Sequence, residues 1–163
     1  MKPTSSSFWW YALPGLPLAA LTLPVYVLVP AFYAELGVSL ALIGAVLLAV
    51  RLLDALTDPV IGFLSDRVPL PAGRRKPWLV IGLAPTMLAV WMVFVPPETP
   101  SATYLLLWSA VLSIGWTLMI LPYNAWGAEL ADDYDGRTAV TARREGMVVA
   151  GTLLATGTPA VLA

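Results

Sequence analysis

The chain has 163 residues, of which 59% are apolar and only 12% are charged, and its net charge is −1. Soluble domains average about 25% charged residues, so this composition excludes a soluble globular protein, a nucleic-acid-binding protein and a disordered chain. The chain contains no cysteine and no histidine. Disulfides, thiolate sites and imidazole metal sites are therefore excluded, and we expect neither enzymatic activity nor a cofactor.

The charged residues are segregated, because positions 3–34, 77–97, 99–128 and 146–163 carry none. Uninterrupted apolar runs of about 18 residues or more are typical of membrane-spanning helices. We predict five helices and an all-α polytopic membrane fold. Their ranges in chain order are about 8–34, 39–65, 77–95, 101–128 and 146–163. The last apolar run reaches Ala163, so we expect the chain to be part of a longer protein.

Basic residues indicate how the helices are oriented. One of the nine, Arg51, lies inside the second helix; the other eight precede the first helix or lie in the loops after the second and fourth helices. The two remaining loops carry Glu35 and Glu98 and no basic residue. This positive-inside pattern predicts a multi-pass protein of the cell membrane with a cytoplasmic N-terminus. Tyr33 and Tyr104 are expected in an interfacial aromatic belt near the outer ends.

The second helix carries three charged residues, Arg51, Asp54 and Asp58, within one wedge of about 60°. Asp54 is predicted near the middle of the hydrocarbon layer, where each charge costs about 2.5–3.5 kcal/mol. Such residues face a bundle interior or a water-filled cavity. Two carboxylates offer the hard oxygens that a sodium-like cation prefers, or they could share a proton. The alternative is that Arg51 simply offsets the burial of Asp54.

Two stretches resemble one family of transporters. The first reads RLLDALTDPVIGFLSDR at 51–67 and continues as GRRKPW at 73–78; the second reads PYNA at 122–125 and continues as EL and DYDGRT up to 138. Both are similar to motifs of the glycoside–pentoside–hexuronide:cation symporters, the melibiose permease-like family of the major facilitator superfamily. The resemblance implies a twelve-helix transporter, of which this chain supplies an N-terminal fragment of a six-helix bundle. The missing C-terminal half of the same chain would complete the cavity.

The resemblance also implies roles for individual residues. Asp54 and Asp58 would be the cation ligands, and Arg51 would face the same cavity. Opposite charges in the cytoplasmic loop would latch one conformation and release another; a purely topological role is the alternative for the basic loop residues. This expected loop network comprises Gly62, Asp66, Arg67, Gly73, Arg74 and Arg75.

The chain departs from sugar-transporting relatives at two places. The first helix has no charge near Ala19, where those relatives carry an acidic residue, and Ile120 stands where they often have a third carboxylate. Neutral oxygens of Thr117, Tyr123 or Asn124 could replace that carboxylate. Aromatic rings of the fourth helix could stack on a sugar, although packing and lipid contact explain them as well. The expected substrate-cavity residues are Arg51, Trp116, Tyr123, Asn124, Trp126 and Arg144.

The leading hypothesis is a symporter that couples sodium or proton entry to uptake of a small solute, a sugar or glycoside. A second hypothesis keeps this fold but gives it a lipid-like or other amphipathic solute, because the first helix is uncharged. A third is a small membrane binding or assembly protein that is complete at 163 residues. The lipid bilayer is the expected environment in each case, and no nucleic-acid partner is expected.

Overall fold

The computed structural model describes residues 5–68, 73–131 and 133–162, which form a series of helices. Four segments of this part are long and apolar enough to cross a membrane: Phe8–Glu35, Leu40–Arg67, Lys76–Phe94 and Ala102–Glu129. The predicted all-α polytopic membrane fold is confirmed by them. The elements are α1 Ser5–Ala12, α2 Gly15–Leu23, a π-helical stretch Pro24–Leu28, α3 Val29–Glu35, α4 Leu40–Arg67, α5 Lys76–Phe94, α6 Ala102–Glu129 and α7 Tyr134–Leu162.

The chain divides into two compact units, which are considered separately below. The described part of Met1–Leu28 joins with that of Trp126–Ala163 in the first unit. The second unit is formed by Val29–Ala125. It contains α3, α4, α5 and most of α6, and therefore most of the residues that the sequence singles out.

The first membrane segment is broken rather than continuous. The predicted single helix over 8–34 is replaced by α1, α2, the π-helical stretch and α3. The interruptions coincide with prolines: a turn at Leu13 and Pro14 separates α1 from α2, and Pro24 begins the π-helical stretch. Proline has no backbone N–H and its ring crowds the preceding turn, so a regular helix cannot pass unchanged through these positions.

The next three spans lie close to their predicted ranges. Helix α4 begins after Ser39, whose side chain accepts a hydrogen bond from the N–H of Leu42 at 3.4 Å, as a helix N-cap does. Helix α5 carries a proline in its first turn, where the missing N–H costs no helical hydrogen bond. Helix α6 contains Pro122 near its C-terminal end. The predicted ranges 39–65, 77–95 and 101–128 thus differ from the observed bounds by one or two residues.

Tyrosine hydroxyls join neighbouring helices at the C-terminal end of α5. Tyr33 of α3 donates a hydrogen bond to the carbonyl of Val93 at 3.1 Å, and Tyr104 of α6 donates one to the carbonyl of Met92 at 2.8 Å. Tyr33 is completely buried in the core cluster of the second unit. The expectation that Tyr33 belongs to a lipid-facing belt is therefore wrong. Its hydroxyl satisfies one of the carbonyls that have no partner within the helix.

Helices α5 and α6 approach each other closely at two glycines. A Cβ atom added to Gly82 would lie 2.7 Å from the carbonyl oxygen of Gly115. A Cβ atom added to Gly115 would lie 3.0 Å from the backbone nitrogen of Thr86. Because both neighbouring atoms belong to the backbone, only residues without a side chain allow this approach. Small residues serve the same purpose generally in membrane helix packing.

Helix α7 begins earlier than expected. The fifth helix is predicted over 146–163, but α7 starts at Tyr134, and Ala163 lies outside the described residues. Asp133 caps this start, because its carboxylate accepts a hydrogen bond from the N–H of Gly136 at 3.3 Å and its carbonyl accepts one from Arg137. The charged residues up to Glu145 predict a loop, but they mark only where the apolar run begins. A helix can continue from a charged stretch into an apolar one.

Within the first unit, α7 packs against α1 and α2. Gly151 lies directly against the backbone carbonyl of Leu16, where an added Cβ atom would clash. Arg143 lies over the ring of Phe8, with 5.3 Å between its guanidinium carbon and the ring centroid. Apolar packing in the middle and a cation–π contact near the polar end of α7 thus hold the unit together.

Candidate functional site

The candidate cation site begins with two carboxylates on one face of α4. Asp54 and Asp58 are one helical turn apart, in a helix that extends unbroken from Leu40 to Arg67. Asp54 lies about 18 Å from the Asp66 end at the usual rise of 1.5 Å per residue. Pro59 has no N–H and so cannot donate to the carbonyl of Ala55, which is one turn before it. Backbone and side-chain oxygens are therefore concentrated in one stretch of a membrane span.

Two hydroxyl groups of α6 face these carboxylates. Ser113 donates a hydrogen bond to Oδ1 of Asp54, and Thr117 donates one to Oδ1 of Asp58 at 2.9 Å. The members of each pair are 59 residues apart, so α4 and α6 run in the same direction with matching one-turn steps. We call these four residues the carboxylate–hydroxyl ladder. The ladder is a property of the second unit alone, and Thr117 is buried within it.

Arg51 supplies a positive charge beside the ladder. Its Nη1 lies 3.3 Å from Oδ2 of Asp54, three residues later on the same helix. The Arg51 side chain is 57% exposed and that of Asp54 is 16% exposed, so the carboxylate is the more enclosed partner. One arginine offsets one aspartate, and the local formal charge remains −1. This arrangement can accept one monovalent cation or one proton and then be neutral.

The expected substrate-cavity residues are divided between the two units. In the second unit, Tyr123 is almost completely buried, Trp116 is half-buried and Asn124 is exposed. In the first unit, the rings of Trp126 and Tyr11 meet edge to face, with 5.4 Å between their centroids. The structure therefore places the expected cavity residues of each unit only within that unit, and their role in a substrate cavity stays a prediction.

Arg144 makes polar contacts within the first unit. Its guanidinium forms an ion pair with Glu145, with Nε 3.1 Å from Oε1, and it is hydrogen-bonded to the Tyr11 hydroxyl. Tyr11 is itself buried against α6, because an added Cβ atom at Gly127 would clash with its hydroxyl. Arg144 is thus held by partners from α1 and α7, and its role in a substrate cavity stays a prediction.

Within the described part of the expected loop network, an ion pair joins α4 to the start of α5. Arg75, at the N-terminus of α5, has Nη1 2.5 Å from Oδ1 of Asp66, and the same nitrogen donates to the carbonyl of Ser65 at 3.2 Å. The Arg75 side chain is only 9% exposed, whereas that of Asp66 is 61% exposed. The arginine therefore bridges the C-terminal end of α4 and the beginning of α5.

The other members of the network have different surroundings. Arg67 lies over the ring of Phe63, with 4.1 Å between its guanidinium carbon and the ring centroid. Gly62 faces Leu121 of α6 at ordinary contact distance, and Arg74 is exposed. Gly73 has φ +115°, a backbone conformation that other residues rarely adopt. The loop thus needs a glycine at 73, while the latch role of these residues stays a prediction.

Ser113 is the residue of the ladder that the sequence motifs do not identify. The sequence predicts Thr117 as a source of neutral oxygen, but it does not single out Ser113. A usable signal was present, because Ser113 and Thr117 have the same spacing of four residues as Asp54 and Asp58. Two helices that pack with matching spacings can bring such pairs together.

The chain matches one family model and several transport proteins. The model described as MFS/sugar transport protein matches residues 10–163. Identity is 32% over 127 residues to the uncharacterized symporter sll1374 of Synechocystis sp., which covers 72% of this chain and 23% of that protein. Identity is 27% over 129 residues to the inner membrane symporter YicJ of Escherichia coli, and the match covers 77% of this chain and 28% of that protein. Identity is 30% over 116 residues to the sodium-dependent lysophosphatidylcholine symporter 1-A of Danio rerio, and the match covers 69% of this chain and 22% of that protein. The chain therefore spans between a fifth and a third of the length of these relatives.

Proposed function

Because the chain belongs to the MFS/sugar transport protein family, we propose that the full-length protein is a secondary active symporter of the cytoplasmic membrane. It couples the entry of sodium or a proton to the uptake of a solute, a sugar or glycoside. The resemblance that the sequence predicts is confirmed by the family match and by relatives named as symporters. The observation that carries the proposal is the carboxylate–hydroxyl ladder between two membrane spans.

The combined charge of the ladder and Arg51 supports a monovalent coupling ion. Asp54 and Asp58 contribute two negative charges and Arg51 contributes one positive charge. A sodium ion or a proton brings the sum to zero, whereas a divalent cation leaves an excess positive charge inside the membrane, where unbalanced charge is costly. Hydroxyl and carboxylate oxygens are hard ligands, which suits sodium. Ser113 and Thr117 take the place of a third carboxylate and add no charge.

A lipid-like solute is the second candidate. One relative is named as a sodium-dependent lysophosphatidylcholine symporter, and the first membrane segment of this chain has no charged residue between positions 3 and 34. An amphipathic solute needs apolar surface along its tail, and an uncharged span offers such surface. A sugar instead needs several polar groups to bind its hydroxyls.

The distribution of charge supports a cytoplasmic N-terminus. Basic residues lie at 67–76, around the connection between α4 and α5, and at 137–144, in the first turns of α7. The connections before α4 and before α6 have Glu35 at their edge or Glu98 within them and no basic residue. The ladder carboxylates would then be reached from either side of the membrane as the transporter alternates.

Uptake by the full-length protein, with sodium and pH varied independently, tests the proposal. The solute panel contains labelled glycosides and lysophosphatidylcholine. We expect Asp58→Asn to abolish cation-stimulated uptake while the protein still reaches the membrane. Glu98→Gln is the matched control, because Glu98 is an exposed loop carboxylate. Normal cation-stimulated uptake by Asp58→Asn would contradict the proposed coupling site, and competition by simple glycosides would contradict the lipid-like candidate.

A further inference from the structure

The two aspartates of the ladder are held differently. Asp54 has a protein donor at each carboxylate oxygen, with the Ser113 hydroxyl at Oδ1 and Nη1 of Arg51 at Oδ2. For Asp58, the hydrogen bond from within the described residues reaches Oδ1 only, from Thr117. Asp54 is therefore fixed on both sides, and Asp58 keeps an oxygen that an incoming ion can use.

A serine hydroxyl can serve the carboxylate and an ion together. It has one hydrogen to donate and two lone pairs to offer. While the hydrogen of Ser113 is directed to Oδ1 of Asp54, its lone pairs remain available beside the ladder. The same holds for Thr117 one turn later. An alkali cation needs several oxygen ligands, so each hydroxyl of the ladder counts toward its binding.

From this geometry we propose that Ser113 is a positioning residue for the coupling-ion site, which holds the Asp54 carboxylate and adds a neutral oxygen for an alkali cation. This inference rests on the proposed symporter function. Ser113 lies outside the sequence motifs, so the motifs give it no role in ion binding. The Ser113 hydroxyl also explains how a site with two carboxylates, rather than three, can offer enough oxygens while keeping a charge of −1.

Thermal unfolding of the purified full-length protein tests the role of Ser113 without a known solute. The melting temperature is followed as sodium chloride replaces choline chloride at constant ionic strength, because a bound ligand stabilises the folded state. We expect Ser113→Ala to raise the sodium concentration for half of the effect by about tenfold, the loss expected for one hydrogen bond to a charged group. The melting temperature in choline alone should also fall, because the hydrogen bond to Asp54 is lost there as well, so each sodium response is measured against the variant's own choline baseline.

Three further variants separate positioning from general stability. Ser113→Thr keeps the hydroxyl and should restore most of the sodium response. Ser113→Cys keeps the volume but replaces the oxygen with a soft sulfur, and should behave like Ser113→Ala. Ser109→Ala is the matched control, because Ser109 lies one turn earlier on α6 and should give the wild-type response. In an Asp54→Asn background, Ser113→Ala should add a smaller loss than it causes in the wild type, since its positioning role requires the Asp54 carboxylate.

The outcomes distinguish this inference from the proposed function. A sodium response in the wild type, with the same half-effect concentration in Ser113→Ala and Ser113→Cys, overturns the role of Ser113 and leaves the symporter proposal standing. No response of the wild type to sodium or lithium contradicts alkali-cation coupling itself, and the inference about Ser113 is refuted with it.

Discussion

Replacement of Arg75 by alanine should open the C-terminal end of α4. The described contacts of the arginine at this end include an ion pair with Asp66 and a hydrogen bond to the carbonyl of Ser65. Because the Asp66 side chain is 61% exposed, solvent screens the ion pair, which we value at about 0.5 kcal/mol. The bond from the buried guanidinium to the carbonyl is worth about 1.5 kcal/mol. The two sum to about 2 kcal/mol, or roughly a 30-fold change in the open population.

The labelling rate of a single cysteine at Ser65 measures this opening. Ser65 is 1% exposed, and the 163 residues contain no cysteine of their own. In full-length protein without other cysteines, Ser65→Cys should react slowly with a membrane-permeant maleimide applied to membrane vesicles. Arg75→Ala should raise the rate by about 30-fold, whereas Asp66→Asn should raise it by about fivefold or less. Arg74→Ala is the control, because Arg74 is an exposed neighbour in the same loop.

The relative size of the two effects is the critical result. If Asp66→Asn accelerates labelling as much as Arg75→Ala, the ion pair and not the carbonyl bond holds this end closed, and the reasoning is wrong. If neither variant changes the rate, the contacts do not restrain opening at all.

Two predictions concern packing and hydrogen bonding in the second unit. Gly115→Ala should destabilise the full-length protein by about 1–3 kcal/mol in thermal unfolding, because the added methyl group meets backbone atoms of α5. Gly44→Ala is the control. An added Cβ atom at Gly44 meets nothing within 4 Å, so this variant should be neutral or slightly stabilising in the same measurement. Tyr33→Phe should cost about 1 kcal/mol, because the buried carbonyl of Val93 loses its hydrogen bond, and an equal melting temperature for this variant would show that the bond contributes nothing. Tyr134→Phe is the matched control, since Tyr134 is largely exposed.

The membrane spans could be predicted from sequence because hydrophobicity alone determines them. The bounds of α4, α5 and α6 follow the apolar runs closely. The start of α7 could not be found in this way, because charge marks where apolar character ends and not where helical hydrogen bonds end. The breaks in the first segment were foreseeable at its prolines, although the π-helical form of Pro24–Leu28 was not.

The candidate site was predictable on one helix but not across two. The spacing of Asp54 and Asp58 shows their shared face, since that relation lies within a single helix. Their pairing with Ser113 and Thr117 depends on how α6 is rotated about its axis and shifted along α4. No pattern within a single helix determines these two quantities. Tyr33 shows the same limit. A tyrosine near a helix end is ambiguous until the carbonyl that its hydroxyl reaches is known.

The short length of α5 has a consequence for the bilayer around this protein. Its 19 residues extend about 28 Å, close to the hydrocarbon thickness, whereas the 28 residues of α4 extend about 42 Å. With tyrosine hydroxyls on its last carbonyls, α5 cannot lengthen at that end without losing those bonds. Among the described spans α5 is thus the shortest, and the longer α4 must tilt or extend beyond the lipid. Thicker membranes should therefore strain α5 first.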